Sequence, residues 1–440
     1  MPRVPLLDPR VLLAVLLAAC GGQAPDDDGT ATTQPASTTA GSDSGGAASS
    51  GVASSDATTA PGSSAGSDGA DSSGGSGTTG EDPPDGLAMF DTTRVHAIEI
   101  TVAEADLATL DNDLETRVPC TLRYDDTVVM QAGIKKKGQS TLQPLDGKPS
   151  FNLKLDEFVE GADIDGIARL ALDNTIMDTT FLSEPLTYLL YARAGVAAPR
   201  TAHAIVRFNG EVKGIYVVVE GVGKRFLGAH FGDGEGNLFE GPWDFDHDIA
   251  AVELKDEDEG RTRDDLQALA EVVLASPDDG LEAALEPLLD VDEFIDTVAL
   301  DMAFCLWDGY AIAAWNYYLY HVPGDRFVLL PHGADWPYWV YDVDPFDVDF
   351  RPWGDQYPSG LLANRVVTVP GLRARYEQAL VEIRDVAFDT DVLIARVDEV
   401  ESILHATDEP AIADELAAFD GSVQTARDFV LQRRAFLDGI

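Results

Sequence analysis

Two short stretches hold the residues best suited to chemistry. Asp308 and Asn316 stand in Trp307-Asp308-Gly309-Tyr310 and Asn316-Tyr317-Tyr318-Leu319-Tyr320, and Asp335 stands in Leu330-Pro331-His332-Gly333-Ala334-Asp335-Trp336. Burying such groups in aromatic, apolar sequence is costly unless something pairs with them. An Asp and an Asn on one loop, with a second Asp after the next strand, match the needs of phosphoryl transfer. One carboxylate takes the hydroxyl proton, while the amide and the other carboxylate hold metal ions on nucleotide phosphates.

These residues need a scaffold of strands and helices. Strand-like alternation runs through Val95–Ile100, Cys120–Tyr124, Val128–Ile134, Ser150–Leu155, Ala204–Phe208 and Gly214–Glu220. Asn209-Gly210 joins the last two as a hairpin turn. A second hairpin, Asn316–His321 with Phe327–Leu330, turns through Pro323-Gly324-Asp325. Helical periodicity dominates later, over Asp264–Leu274, Val291–Leu306, Leu372–Ala387, Val392–Ala406 and Val423–Leu437. Strands first, then helices with one inserted hairpin, predict an α+β fold. The expected architecture is two-lobed, with a β-rich N-lobe over about 89–220, a helical C-lobe over about 221–440 and a cleft between them.

Composition narrows the partners. The chain has 440 residues, with 77 Asp and Glu against 30 Lys and Arg, a formal net charge of −47. Such a surface repels nucleic acid phosphates and offers no basic patch to anionic lipid. Three cysteines exclude a disulfide-rich scaffold. A Cys120–Cys305 bond stays open on sequence grounds.

The N-terminus reads as a targeting segment. Arg3 and Arg10 flank the apolar run Val11–Leu17, which is too short to span a bilayer. Leu17-Ala18-Ala19-Cys20 resembles a bacterial lipobox, so residues 1–20 are expected to be a lipoprotein signal with Cys20 as the lipidated residue. Residues 21–86 are rich in Ser, Gly, Thr, Ala and Asp. A segment of that composition buries too little apolar surface to offset its ordering entropy, which predicts a tether. The folded domain is then 87–440, anchored to a cell envelope by lipid alone.

Taken in order, the segments from Val95 to Trp339 resemble the CotH-type spore-coat protein kinase family, an atypical branch of the protein-kinase-like fold. The matching pieces are Lys135-Lys136-Lys137-Gly138-Gln139-Ser140-Thr141, Lys148 to Leu155, Asp178 to Glu184, Asn209 to Glu220, and the Asp308, Asn316 and Asp335 segments. The resemblance implies ATP with Mg²⁺ or Mn²⁺ as cofactors, and Ser or Thr of a secreted or surface protein as acceptor. It implies Asp308 as base and Asn316 and Asp335 as metal ligands. It places Lys148 as the cation paired with Glu184, and Glu220 at the lobe hinge near the adenine. Lys135, Lys137, Gly138, Ser140 and Lys154 are the remaining candidates for holding phosphate.

The bare residues admit plainer readings. Three consecutive lysines also make a solvated strand edge, and Glu184 before Pro185 also suits a first helical turn. Lys148 and Lys154 are an even number of residues apart, which predicts one shared strand face. Asp244, Asp246 and Asp248, Asp342 to Asp349, and Asp256 to Glu259 read as solvated acidic loops. His321 and His332 are placed to approach each other across their hairpin.

The chain departs from the family pattern in three ways. Gly333 stands where the family's Pro-Trp-Asp-x-Asp segment has its first Asp, Ser183 stands before Glu184 where a basic residue is expected, and lysines replace the first-strand arginines. A catalytically silent, envelope-tethered binding module is therefore the second reading, beside an active Ser/Thr kinase.

Overall fold

The computed structural model describes residues 88–241, 244–246, 249–255, 261–336, 343–347 and 359–440. The signal, Cys20 and tether fall outside these, as do Asp248, Asp256 to Glu259, Asp342 and Asp349.

The first lobe is a closed barrel. Its strands are β1 (Val95–Val102), β2 (Val118–Tyr124), β3 (Thr127–Lys137), β4 (Ser150–Lys154), β5 (Arg169–Asp173), β6 (Thr201–Phe208) and β7 (Glu211–Glu220). They are hydrogen-bonded in the order β1-β2-β3-β4-β5-β7-β6, and β6 closes back on β1 in parallel. A short helix, α1 (Leu107–Asn112), lies between β1 and β2. Alternate residues fill the inside: Ile98, Ile100, Leu122, Ile134, Phe151, Leu153, Leu172, Val206 and Val218 form one apolar cluster. The opposite face of β6 and β7 supplies Ile205, Ile215, Val217 and Val219 to the larger core under the helices. Period-two alternation thus serves two cores at once.

The helical lobe contains α2 (Ser183–Ala194), α3 (Lys224–Phe231), α4 (Asp264–Ala275), α5 (Leu281–Leu285), α6 (Val291–Ala303), α7 (Tyr310–Ala313), α8 (Leu361–Thr368), α9 (Pro370–Glu382), α10 (Thr390–His405) and α11 (Ala413–Leu437). Its small sheet has the order β11 (Phe327–Pro331), β10 (Tyr317–His321), β8 (Asn237–Glu240), β9 (Glu253–Leu254). The α+β class is as the sequence predicts, although α2 of the helical lobe precedes β6 and β7 in the chain. The elements not predicted are the strands β5, β8 and β9 and the helices α1, α3, α5, α7 and α8, all of eight residues or fewer and so with little periodicity to read.

Three side chains fix the loop that carries Asp308. Asp301 on α6 is buried, accepts the Tyr191 hydroxyl and takes the Ala311 N–H at 3.1 Å. Burial raises the Asp301 carboxyl to about 7, against which the Tyr191 hydroxyl and the Ala311 N–H act. A Cβ on Gly309 would sit 2.9 Å from Asp301 Oδ2, so the chain passes only because residue 309 lacks one. Arg433 of α11 is buried and donates to the carbonyls of Met302 at 2.6 Å, Ala303 at 2.6 Å and Val343 at 2.7 Å. A cation at the C-terminus of α6 satisfies orphan carbonyls and complements the helix dipole.

Cys120 and Cys305 are both buried free thiols, in separate apolar clusters, so the bond left open by sequence is not made. Asp244 and Asp246 are buried, not solvated as the acidic composition suggests.

Arg433→Met should lower stability by about 2–4 kcal/mol, because three buried carbonyls lose their donor. Chemical denaturation of the two proteins checks this; a difference within about 0.5 kcal/mol would show that the guanidinium is dispensable.

Candidate functional site

The site is built from the outer face of the barrel and the edge of the small sheet. Lys137 is the last residue of β3 and Asp173 the last of β5. β4 lies between them, with Ser150 opposite Lys137 and Phe151 opposite Leu172. That register brings Lys137 Nζ to 2.5 Å from Asp173 Oδ1. Burial works against the Lys137 charge, but the carboxylates of Asp173, Glu184 and Asp335 outweigh it and raise the ammonium pKa.

Glu184 enters from the first turn of α2 and is buried. Burial first, then the Asp173 carboxylate, pushes its carboxyl well above the ordinary range. Asp178 secures this helix start by accepting the N–H groups of Leu182 at 2.9 Å and Ser183 at 2.8 Å. One turn on from Glu184, the Tyr188 hydroxyl bonds to the backbone of Ala334, tying α2 to the Asp335 segment. Burial, then Asp173, raises Asp335 to about 6, with Lys137 pulling the other way.

Asp308 and Asn316 face each other directly. Asn316 Nδ2 donates to Asp308 Oδ2 at 2.7 Å and to the Gly333 carbonyl at 3.1 Å. With both amide hydrogens so used, Asn316 Oδ1 keeps its lone pairs for a cation. Burial and the nearby Asp335 charge push Asp308 well up, and the Asn316 amide pulls it down. The donor set, Asn316 Oδ1 and the Asp335 carboxylate, is hard oxygen and suits Mg²⁺ or Mn²⁺.

Gly333 has φ +59°, and a Cβ there would lie 2.9 Å from Asn316 Cγ. The absent carboxylate is thus matched by a local backbone that leaves a side chain little room. The Gly138 loop lies beside Lys137, with Gly138 at φ +112° and Ser140 exposed. Asn174, next to Asp173, holds both ends of that loop by donating to Thr141 O at 3.0 Å and Lys148 O at 2.8 Å. Neither Asp173 nor Asn174 stands out in the sequence, because a five-residue strand hides them.

Other expected residues lie elsewhere. Lys148 precedes β4, so it does not share a strand face with Lys154. It does not meet Glu184: its ammonium pairs with Glu415 of α11 and lies over the Phe181 and Tyr216 rings, 5.6 and 5.2 Å from their centroids. Glu415 also accepts the Ile215 N–H at 2.9 Å, so Lys148 helps join α11 to the barrel. Lys135 faces Glu115 at 3.4 Å and Lys154 faces Glu157 at 2.9 Å. Lys136, the middle lysine, is buried against Asp111 at 2.6 Å. Glu220 is gripped by Arg200 through two contacts of 2.8 Å at the end of β7. His321 and His332 each take a separate carboxylate, Asp265 at 2.8 Å and Glu240 at 3.2 Å.

Asp244 and Asp246 lie against α7 and the start of α8. Asp244 accepts the Leu361 N–H at 2.5 Å and the Tyr310 hydroxyl at 3.3 Å. Burial and the Asp244 charge raise Asp246 to about 8.

A family profile described as CotH kinase protein matches residues 134–437, and the chain belongs to that family. A curated relative, Invasin CotH2 of Rhizopus delemar, is 27% identical over 129 residues, which is 28% of this chain and 22% of the relative. The chain therefore spans about a fifth of that relative's length. A solved complex of HipA, HipB and operator DNA from Shewanella oneidensis aligns over 78% of this chain and 73% of its own, at 12% identity and a TM-score of 0.31. Among the described residues no helix is long and apolar enough to cross a membrane.

Gly333→Asp should not restore a second metal ligand. A positive φ costs a non-glycine residue about 1–2 kcal/mol, and the new Cβ presses on Asn316. A lower melting temperature without tighter Mn²⁺ binding is expected; tighter binding would show that the loop can adapt.

A pH series tests the Asp244–Asp246 pair. Asp246 is pushed up to about 8 in the folded state from the ordinary 3.8, so the folded state holds the extra proton between about pH 4 and 8. Stability therefore falls as pH rises through that window, by up to about 1.4 kcal/mol per unit for one proton. Asp246→Asn keeps a neutral donor beside Asp244 and should flatten the fall; an unchanged slope would remove Asp246 as its source.

Proposed function

We propose that the chain is a nucleotide- and divalent-cation-dependent kinase that phosphorylates a Ser or Thr hydroxyl of a secreted or surface protein. The observation that carries this reading is the close approach of Lys137, Asp335 and the Asp308–Asn316 pair to one another. Family membership supports the phosphotransferase class. Lys137 would meet the nucleotide phosphates, with Gly138 and Ser140 in the adjoining loop. Asn316 and Asp335 would hold the cation, whose contribution when bound is to neutralise phosphate charge. Asp308, fixed by the Asn316 amide and ionised once a cation offsets the neighbouring charge, would accept the proton of the incoming hydroxyl. Lys148 holds α11 and carries no phosphate role. Leu17-Ala18-Ala19-Cys20 supports a lipid anchor at Cys20, with residues 21–86 as the tether of an envelope protein.

Gly333 favours a second reading, a silent kinase-like module that binds proteins or divalent ions. Labelled ATP with Mg²⁺ or Mn²⁺ separates the two. Asp308→Ala, Asp335→Ala and Lys137→Met should each lose about 100-fold or more of the phosphorylation, on itself or on an acceptor protein, and Lys148→Met much less. Absence of label, together with no nucleotide-dependent rise in melting temperature of the unmutated protein, would leave only the silent module.

A further inference from the structure

In protein kinases the strand lysine is paired with a helix glutamate. Here two buried carboxylates compete for Lys137, and they differ in what holds them. Asp173 makes the ion pair at 2.5 Å. It sits on β5, bonded through β4 to β3, so lysine and partner share one barrel. Glu184 sits on α2, whose Leu186, Leu190 and Tyr191 belong to the large core beneath the helices. Asp173 Oδ2 and Glu184 Oε2 are both buried without a hydrogen-bond partner among the described residues. One proton shared between the two carboxyls would give each of these oxygens a partner and weaken the pull of Glu184 on the lysine, while Asp173 keeps the direct contact. The Lys137–Asp173 pair remains the charged contact.

We propose that Asp173, not Glu184, is the residue that positions Lys137 in the cleft. The lysine then stays in place however α2 moves against the barrel. Asn174 next to it holds the Gly138 loop, so one dipeptide at the end of β5 sets both the cation and the loop. Its consequence for nucleotide binding rests on the kinase reading; the position of Lys137 does not.

The test is acylation of Lys137 in the nucleotide-free full chain at one pH, followed by mass spectrometry of the modified peptide. Freed from its partner, the amine is more readily deprotonated. Asp173→Asn should speed labelling of Lys137 about tenfold, the equivalent of ~1.4 kcal/mol, while Glu184→Gln leaves it within about twofold. If Glu184→Gln accelerates labelling as much as Asp173→Asn, the assignment falls. Should Asp173→Asn not fold by circular dichroism, the Glu184→Gln arm and Asp173→Glu, which should keep Lys137 protected, still decide it. Mg²⁺–ADP binding by calorimetry adds a second readout, with Asp173→Asn weakening affinity about tenfold and Glu184→Gln less. Unmutated protein that protects Lys137 but binds no nucleotide would overturn the kinase reading and leave Asp173 in its role.

Discussion

The balance between the Lys137 ammonium and the carboxyls of Asp173, Glu184, Asp335 and Asp308 is the constraint around which the site is arranged. Lys137 faces Asp173, Glu184 and Asp335, and Asp308 lies within reach of the Asp335 charge. In a half-buried cleft that excess of negative charge is unstable unless protons or cations relieve it. The raised carboxyls of Glu184, Asp308 and Asp335 are the protein's own relief. They also make the cleft a natural receptor for a cation.

The surrounding fold keeps these groups together. The β3–β4–β5 register delivers Lys137 and Asp173, Tyr188 ties α2 to the Asp335 segment, and Asp301 with Gly309 shapes the loop under Asp308. Arg433 and Glu415, both on α11, reach the end of α6 and the barrel respectively. The C-terminal helix is therefore a brace for both lobes.

Gly333 and His332 mark where this chain leaves its family's pattern. The glycine leaves room for the Asn316 amide, which donates to its carbonyl at 3.1 Å, and the His332 ring lies tilted against Tyr318 with centroids 4.3 Å apart while meeting Glu240. These are coherent local arrangements, not gaps. They fit a site built with fewer carboxylates.

The sequence by itself determined the α+β class, most barrel strands, the inserted hairpin and the aromatic segments that carry Asp308, Asn316 and Asp335. Those features rest on local periodicity, turn chemistry and the cost of burying a carboxylate, all of which act over a few residues. Tertiary structure alone decided which carboxylate each lysine meets. Lys137, Lys148 and Lys154 look alike in the chain, but strand register places Lys137 on Asp173, and the packing of α11 places Lys148 on Glu415. It also turned Asp244 and Asp246 inward despite an acidic composition that predicts solvation. Ion-pair choice depends on groups far apart in sequence and on which of them loses water together, and no local pattern encodes that.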